Sequence, residues 1–197
     1  GQAVRHQMDA HGRAFAEAGR RRWGDLMQTD IEDAVAKIVA SGQADPRRIA
    51  IFGASYGGYA AQMGPILRPD LYRCSVSGAG ISDLLELLKY EREDGEDTPS
   101  ARYWTAQLGD PRTDTARPRA ASPRQRASEL KAPLLLMHGE LDAVVPIRQS
   151  QLMAEAMRQA GHSCEYAVIP GVGHRGWPQA TLKFVLDKAC AFIGQHI

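Results

Sequence analysis

Cysteine is scarce: 197 residues hold only Cys74, Cys164 and Cys190, an odd number, widely spaced and without a C-x-x-C pair. That excludes a disulfide scaffold and a zinc ribbon, and each thiol is expected to act as a small core hydrophobe. Charge of one sign is lacking as well, since 24 basic residues stand against 23 acidic ones for a formal net charge of +1. The chain therefore has no electrostatic footprint for nucleic acid or for a membrane surface. No run approaches the roughly 18 apolar residues of a membrane span. The opening stretch, "GQAVRHQMDAHGRAF", has no apolar signal-peptide core. A cytoplasmic chain with no membrane segment and no nucleic-acid partner is the expectation. Internal repeats are also missing.

What is present is an alternation of short apolar runs with helical periods. Thr29 with Glu32 reads as a capping box, followed by Ile31, Val35, Ile38 and Val39 on one face until Ser41-Gly42 ends the helix. This predicts a helix packed on a sheet. Strands are expected at 48–53, in "YRCSVSG", in "APLLLMHG" and in "CEYAVIP". The helix after the first strand should be cut short by Gly64-Pro65. A later helix sets Leu152, Met153, Ala156, Met157 and Ala160 on one face, and a terminal helix does the same with Leu182, Val185, Leu186, Ala189 and Ile193. Between about 82 and 131 the chain turns charged and proline-rich, and most of it is expected to be a solvated surface excursion. Strands alternating with helices imply one α/β domain, a mostly parallel sheet with helices on both faces.

The stretch "AIFGASYGG" places Ser55 between Gly53 and Gly57 where the first strand must end. A plain turn is one reading. The other is a nucleophile elbow, in which a strand feeds a tight turn and a helix, and the apical serine takes a strained backbone so that its hydroxyl projects freely. The order of apolar strand, G-x-S-x-G and helix start favours the elbow.

A serine hydroxyl is a weak nucleophile at neutral pH, so it needs a base, and the base an orienting acid. In the α/β-hydrolase arrangement the chain order is serine, acid, histidine, each on a loop past the C-terminal end of a strand. "LLLMHGELDAVVP" places Asp142 there, and "YAVIPGVGHRGW" places His174 there, flanked by glycine. Glu140 in the same loop, and Asp83 after the second strand, compete for the acid role. Among the other histidines, His6 and His11 precede the elbow and contradict the order. His138 sits at a strand end, His162 follows a helix and His196 is terminal.

The segments "GASYGGYAA", "HGELDAVVP" and "GVGH" resemble the three catalytic motifs of the prolyl oligopeptidase family of serine peptidases, with its acylaminoacyl-peptidase and dipeptidyl-aminopeptidase branches. "GRAFAEAGRRRWGDLMQTDIEDAV" and "ARYWTAQLGDP" extend the resemblance over nearly the whole chain. It implies Ser55 as nucleophile, Asp142 as acid, His174 as base and the backbone N–H of Tyr56 as an oxyanion donor. Tyr103 falls where relatives line the substrate side-chain pocket with an aromatic, and Val145 where they place an apolar wall. No metal or cofactor is implied, and the expected substrate is a peptide or acyl-peptide.

Three departures qualify the resemblance. A complete domain of this type has an eight-stranded sheet, whereas four strands are legible here. The front strands, with the second oxyanion donor and any N-terminal propeller, are expected to lie before Gly1 as part of the same protein. "RHQMDAHGR" stands where many relatives have a glycine-richer "RGSxGYGR". Val144 stands where dipeptidyl-peptidase relatives often carry an asparagine that holds a substrate carbonyl, which points to an acylaminoacyl- or oligopeptidase-like enzyme. A carboxylesterase and a weakly active fragment of a larger peptidase are the alternatives.

Overall fold

The computed structural model describes residues 17–197. His6, His11 and the "RHQMDAHGR" departure lie outside them. Four strands, β1 (Ala50–Ala54), β2 (Cys74–Gly78), β3 (Leu134–Gly139) and β4 (Cys164–Ile169), form one all-parallel sheet in the order β1-β2-β3-β4. These are the four strands expected from the sequence, each within two residues at its ends. Helices α1 (Leu26–Ala40) and α2 (Tyr56–Leu67) flank β1, and α3 (Leu84–Tyr90), α4 (Pro99–Leu108) and α5 (Ala116–Ala120) fill the passage from β2 to β3. A 3-10 turn (Pro123–Glu129) completes that passage, α6 (Arg148–Gln159) joins β3 to β4, and α7 (Gln179–His196) follows.

Strand alternation divides the core in two. Leu134 and Leu136 of β3 face Tyr59, Met63 and Ile66 of α2 and Met153 and Met157 of α6. Leu135 and Met137 face the other way, with Cys74 and Val76 of β2, onto Val185, Ala189 and Phe192 of α7. The buried face of α7 thus runs through 185, 189 and 192, while Leu182 and Leu186 of the expected face are half exposed. Cys74 is buried, Cys164 partly so, and Cys190 is exposed, which corrects the expectation of three core thiols.

Two helix boundaries differ from the sequence reading. Helix α1 begins at Leu26, and Thr29 is inside it, its hydroxyl donating to the Leu26 carbonyl 2.8 Å away. Glu32 pairs with Arg68 at 3.0 Å, so there is no capping box. The helix reaches α2 through Gln28, whose amide donates to the Ala60 carbonyl, and Met27 beside it is buried. Helix α2 is not cut at Gly64-Pro65 but continues to Leu67. Proline has no N–H to give the carbonyl four residues back, which is that of Ala61. The Ser75 hydroxyl of β2 donates to that carbonyl instead. Ser77 likewise donates to the Gly58 carbonyl at 2.9 Å, so the serines of "CSVSG" fasten α2 to the sheet.

The passage at 82–131 carries charge outward but is not a solvated connector. Leu84, Leu87, Leu88, Leu108 and Leu130 are buried in the main core, and Tyr59 of α2 donates its buried hydroxyl to the Ala121 carbonyl at 2.9 Å. Gln149 at the start of α6 clamps the segment's first turn. Its side-chain oxygen accepts from the amides of Ser82 and Asp83, and its amide donates to the Asp83 carbonyl.

Candidate active site

Ser55 joins β1 to α2 with φ +58° and ψ −122°, a backbone that L-residues rarely hold. The turn is possible only because its neighbours lack side chains. A Cβ on Gly53 would stand 2.3 Å from the Gly57 carbonyl oxygen, and one on Gly58 would stand 2.7 Å from Gly80 Cα. The Ser55 amide is spent on the Gly78 carbonyl at 2.8 Å, which pins the elbow to the end of β2. Tyr56 opens α2, so its N–H is among the first-turn donors with no partner inside the helix.

The acid and histidine loops leave adjacent strands and are laced together. The Glu140 amide donates to Ile169, and the Leu141 amide to Val172. A Cβ on Gly139 would meet the Val172 carbonyl oxygen at 2.6 Å, so glycine there lets the second loop close down on the first. Trp177 donates its indole N–H to the Gly173 carbonyl. His174 lands with Nε2 3.1 Å from Ser55 Oγ and Nδ1 2.7 Å from Asp142 Oδ2. The other Asp142 oxygen accepts from the amides of Val144 and Val145, each at 2.9 Å. Burial pushes the Asp142 carboxyl up. The N–H groups of His138, His174 and Val145, with the charge of His174, outweigh it and hold the carboxyl well below the usual carboxylate range.

The competitors are engaged elsewhere. Asp83 caps α3 through the amides of Leu85 and Glu86 and pairs with Arg124 at 2.8 Å. Glu140 accepts from the Gly171 amide at 3.0 Å. His162 lies 3.1 Å from the Ser128 carbonyl oxygen and His196 packs on Phe192.

Tyr103 and Val145 are placed differently from each other. Tyr103 is half exposed on α4, edge-on to Trp104 at 5.4 Å. Trp104 meets Trp23 at 5.9 Å, and Trp23 meets Tyr56 at 4.7 Å, so a run of aromatic rings leads from the residue next to Ser55 to the surface. Trp23 is a member of this run that the sequence reading missed, although "RRWGDL" offered a tryptophan in a turn. The Val145 side chain is buried in the main core. Its backbone is what reaches the site.

A parallel sheet with an elbow serine, and a carboxylate and a histidine on the two following loops, is the arrangement of the α/β-hydrolase fold. The family follows from comparison: residues 8–197 match the model of the prolyl oligopeptidase family, and the chain belongs to it. It is 33% identical over 172 residues to dipeptidyl aminopeptidase BIII of Pseudoxanthomonas mexicana, a match covering 83% of this chain and 24% of that one. A puromycin-hydrolyzing peptidase of Mycobacterium tuberculosis superimposes with a TM-score of 0.84 at 31% identity, over 94% of this chain and 27% of the other. The acylaminoacyl peptidase of Pyrococcus horikoshii does so at 0.81 and 26%, over 92% and 30%. The chain therefore spans about a quarter of the length of such relatives.

Proposed function

We propose that this chain carries the catalytic centre of a serine peptidase that cleaves peptides or acyl-peptides through an acyl-enzyme, with Ser55 as nucleophile, His174 as base and Asp142 as acid. The observation that carries the reading is the unbroken line of contacts Ser55 Oγ, His174 Nε2, His174 Nδ1 and Asp142 Oδ2, at 3.1 and 2.7 Å. A carboxylate can only accept, so the His174 proton is on Nδ1 and Nε2 is left to take the serine proton. As Ser55 Oγ attacks the scissile carbonyl carbon, that proton moves to Nε2 and the Tyr56 N–H donates to the developing oxyanion. His174 then protonates the leaving nitrogen. A water then gives a proton to His174 as its oxygen bonds the acyl carbon, and His174 returns that proton to Ser55 Oγ as the acyl–Oγ bond breaks, which frees the acid product and restores Ser55.

The aromatic run from Tyr56 to Tyr103 supports an apolar or aromatic side chain next to the scissile bond. Val145 serves through its backbone. Val144, half exposed beside the acid, offers a substrate carbonyl no side-chain donor, which favours an acylaminoacyl or oligopeptidase preference over strict dipeptide release. A fluorophosphonate probe tests the centre: it should label the wild-type chain and leave Ser55→Ala unlabelled, and equal labelling would overturn the proposal. Rates on matched acyl-peptide and ester substrates then separate peptidase from esterase.

A further inference from the structure

Asp142 has two imidazoles near one oxygen. Oδ2 meets His174 Nδ1 at 2.7 Å, and His138 Nε2 stands 3.5 Å from the same atom. His138 is wholly buried at the end of β3, on the face that Leu134 and Leu136 occupy. A leucine would continue that row. Its partners fix where the neutral ring holds its proton. Nε2 lies 2.8 Å from the Val145 carbonyl oxygen, which only accepts, so Nε2 carries the hydrogen. Nδ1, 2.7 Å from Ser150 Oγ, then accepts from that hydroxyl. One ring thereby ties β3, the acid loop and α6 together.

We propose that His138 is a positioning residue for the catalytic acid: its Nε2–H holds the Val145 carbonyl and lays an N–H dipole against Asp142 Oδ2, so that the carboxylate stays aimed at His174. This rests on the reading of Asp142 and His174 as acid and base. Val145 links the ring to the carboxylate. Its amide donates to Asp142 Oδ1 while its carbonyl accepts from His138, so the ring and the carboxylate grip the same peptide segment from two sides. Tyr90 holds the loop from a third direction, its hydroxyl donating to the Ala143 carbonyl at 2.9 Å.

The test uses the 197-residue chain and two readouts. One is the downfield proton NMR resonance of His174 Nδ1–H, identified by its loss in His174→Ala, which reads the bond to Asp142 without turnover. The other is the rate of fluorophosphonate labelling of Ser55. His138→Leu should move the resonance upfield and slow labelling by about tenfold or more, the scale on which outer partners of functional ligands act. His138→Gln, which returns an N–H donor toward Val145 and Asp142, should recover most of both. Ser150→Ala should shift both in the direction of His138→Leu by less, and it decides the matter if His138→Leu does not fold. Wild-type resonance and rate in His138→Leu or Ser150→Ala would overturn the proposal. So would equal losses in the Leu and Gln variants that track a lowered Tm. If Asp142→Asn labels at the wild-type rate, the acid assignment itself falls, and the proposal with it.

Discussion

Ser55 concentrates the cost of the site in one residue. Its φ of +58° with ψ of −122° is backbone strain of about 1 to 3 kcal/mol, accepted because it throws Oγ toward His174. Glycine holds that conformation freely, though it adds entropy to the unfolded chain, so Ser55→Gly should stabilise the chain by about 1 kcal/mol in urea unfolding while abolishing fluorophosphonate labelling. Ser55→Ala should abolish labelling with no gain. A Gly variant no more stable than the Ala variant would show that the strain is not stored there. Asp142 gives a pH signature of definite sign. Its folded carboxyl titrates below the ordinary value, so the unfolded chain takes up that proton at higher pH than the native one. The stability it contributes is therefore fully present above the ordinary carboxylate value and is lost progressively as pH falls from there toward the lower folded value. Urea midpoints measured from about pH 6 down to about pH 3 should fall more steeply for wild type than for Asp142→Asn, which retains every other carboxylate. In a catalytically competent form, Asp142→Asn should lower turnover by roughly ten-thousand-fold by stabilising the wrong imidazole tautomer, while Asp83→Asn should not.

Helix α2 shows how an element can override its own sequence signals. Pro65 leaves the Ala61 carbonyl without its helical donor, and Ser75 replaces that donor from the neighbouring strand. Ser75→Ala should therefore cost about 1 to 3 kcal/mol, because a buried carbonyl loses its partner. Pro65→Ala restores a backbone N–H, so in a double-mutant cycle the Ser75→Ala penalty should shrink in the Pro65→Ala background; an unchanged penalty would show that Ser75 acts otherwise. This compensation explains what the sequence could and could not disclose. The strands and the loops bearing Ser55, Asp142 and His174 are legible because each depends on local pattern: an apolar run, then small residues or glycine, then a reactive side chain. The course of α2 through Pro65 is not, since its cure lies ten residues on in another element. The start of α1 is hidden similarly, as Glu32 is taken by Arg68 instead of an N-terminal amide. At 82–131 "LLELLKY" is legible as a helix with Leu84, Leu87 and Leu88 on one face, whereas the charged and proline-rich remainder masks Leu108 and Leu130, which join the same core from other elements. In the sequence His138 is only a residue at a strand end, because its partners, Val145 and Ser150, become neighbours when the acid loop folds back.

At the scale of the whole molecule the sheet is unevenly covered. Parallel strands are normally buried on both faces. Here α7 covers β2 and β3, while Phe52 of β1, beside Val76 on that same face, is 44% exposed. Among the described residues β1 pairs only with β2, so its outer side presents unpaired backbone groups next to that ring. Ile38 of α1 and Leu182, Phe184 and Leu186 of α7 add further half-exposed apolar surface. An unpaired edge beside exposed apolar side chains is a template for association. The 197-residue chain should therefore gain mass with concentration in light scattering, and Phe52→Lys, which puts a charge on that edge, should suppress the gain without lowering Tm. Val168→Lys supplies the control: Val168 is 44% exposed on β4 at the opposite edge, so the same charge there should leave association as it was. If Val168→Lys disperses the chain as well as Phe52→Lys does, net charge is the cause and the β1 edge has no special part. A wild-type chain that stays monodisperse at about 100 µM would overturn the prediction that the open β1 edge drives association.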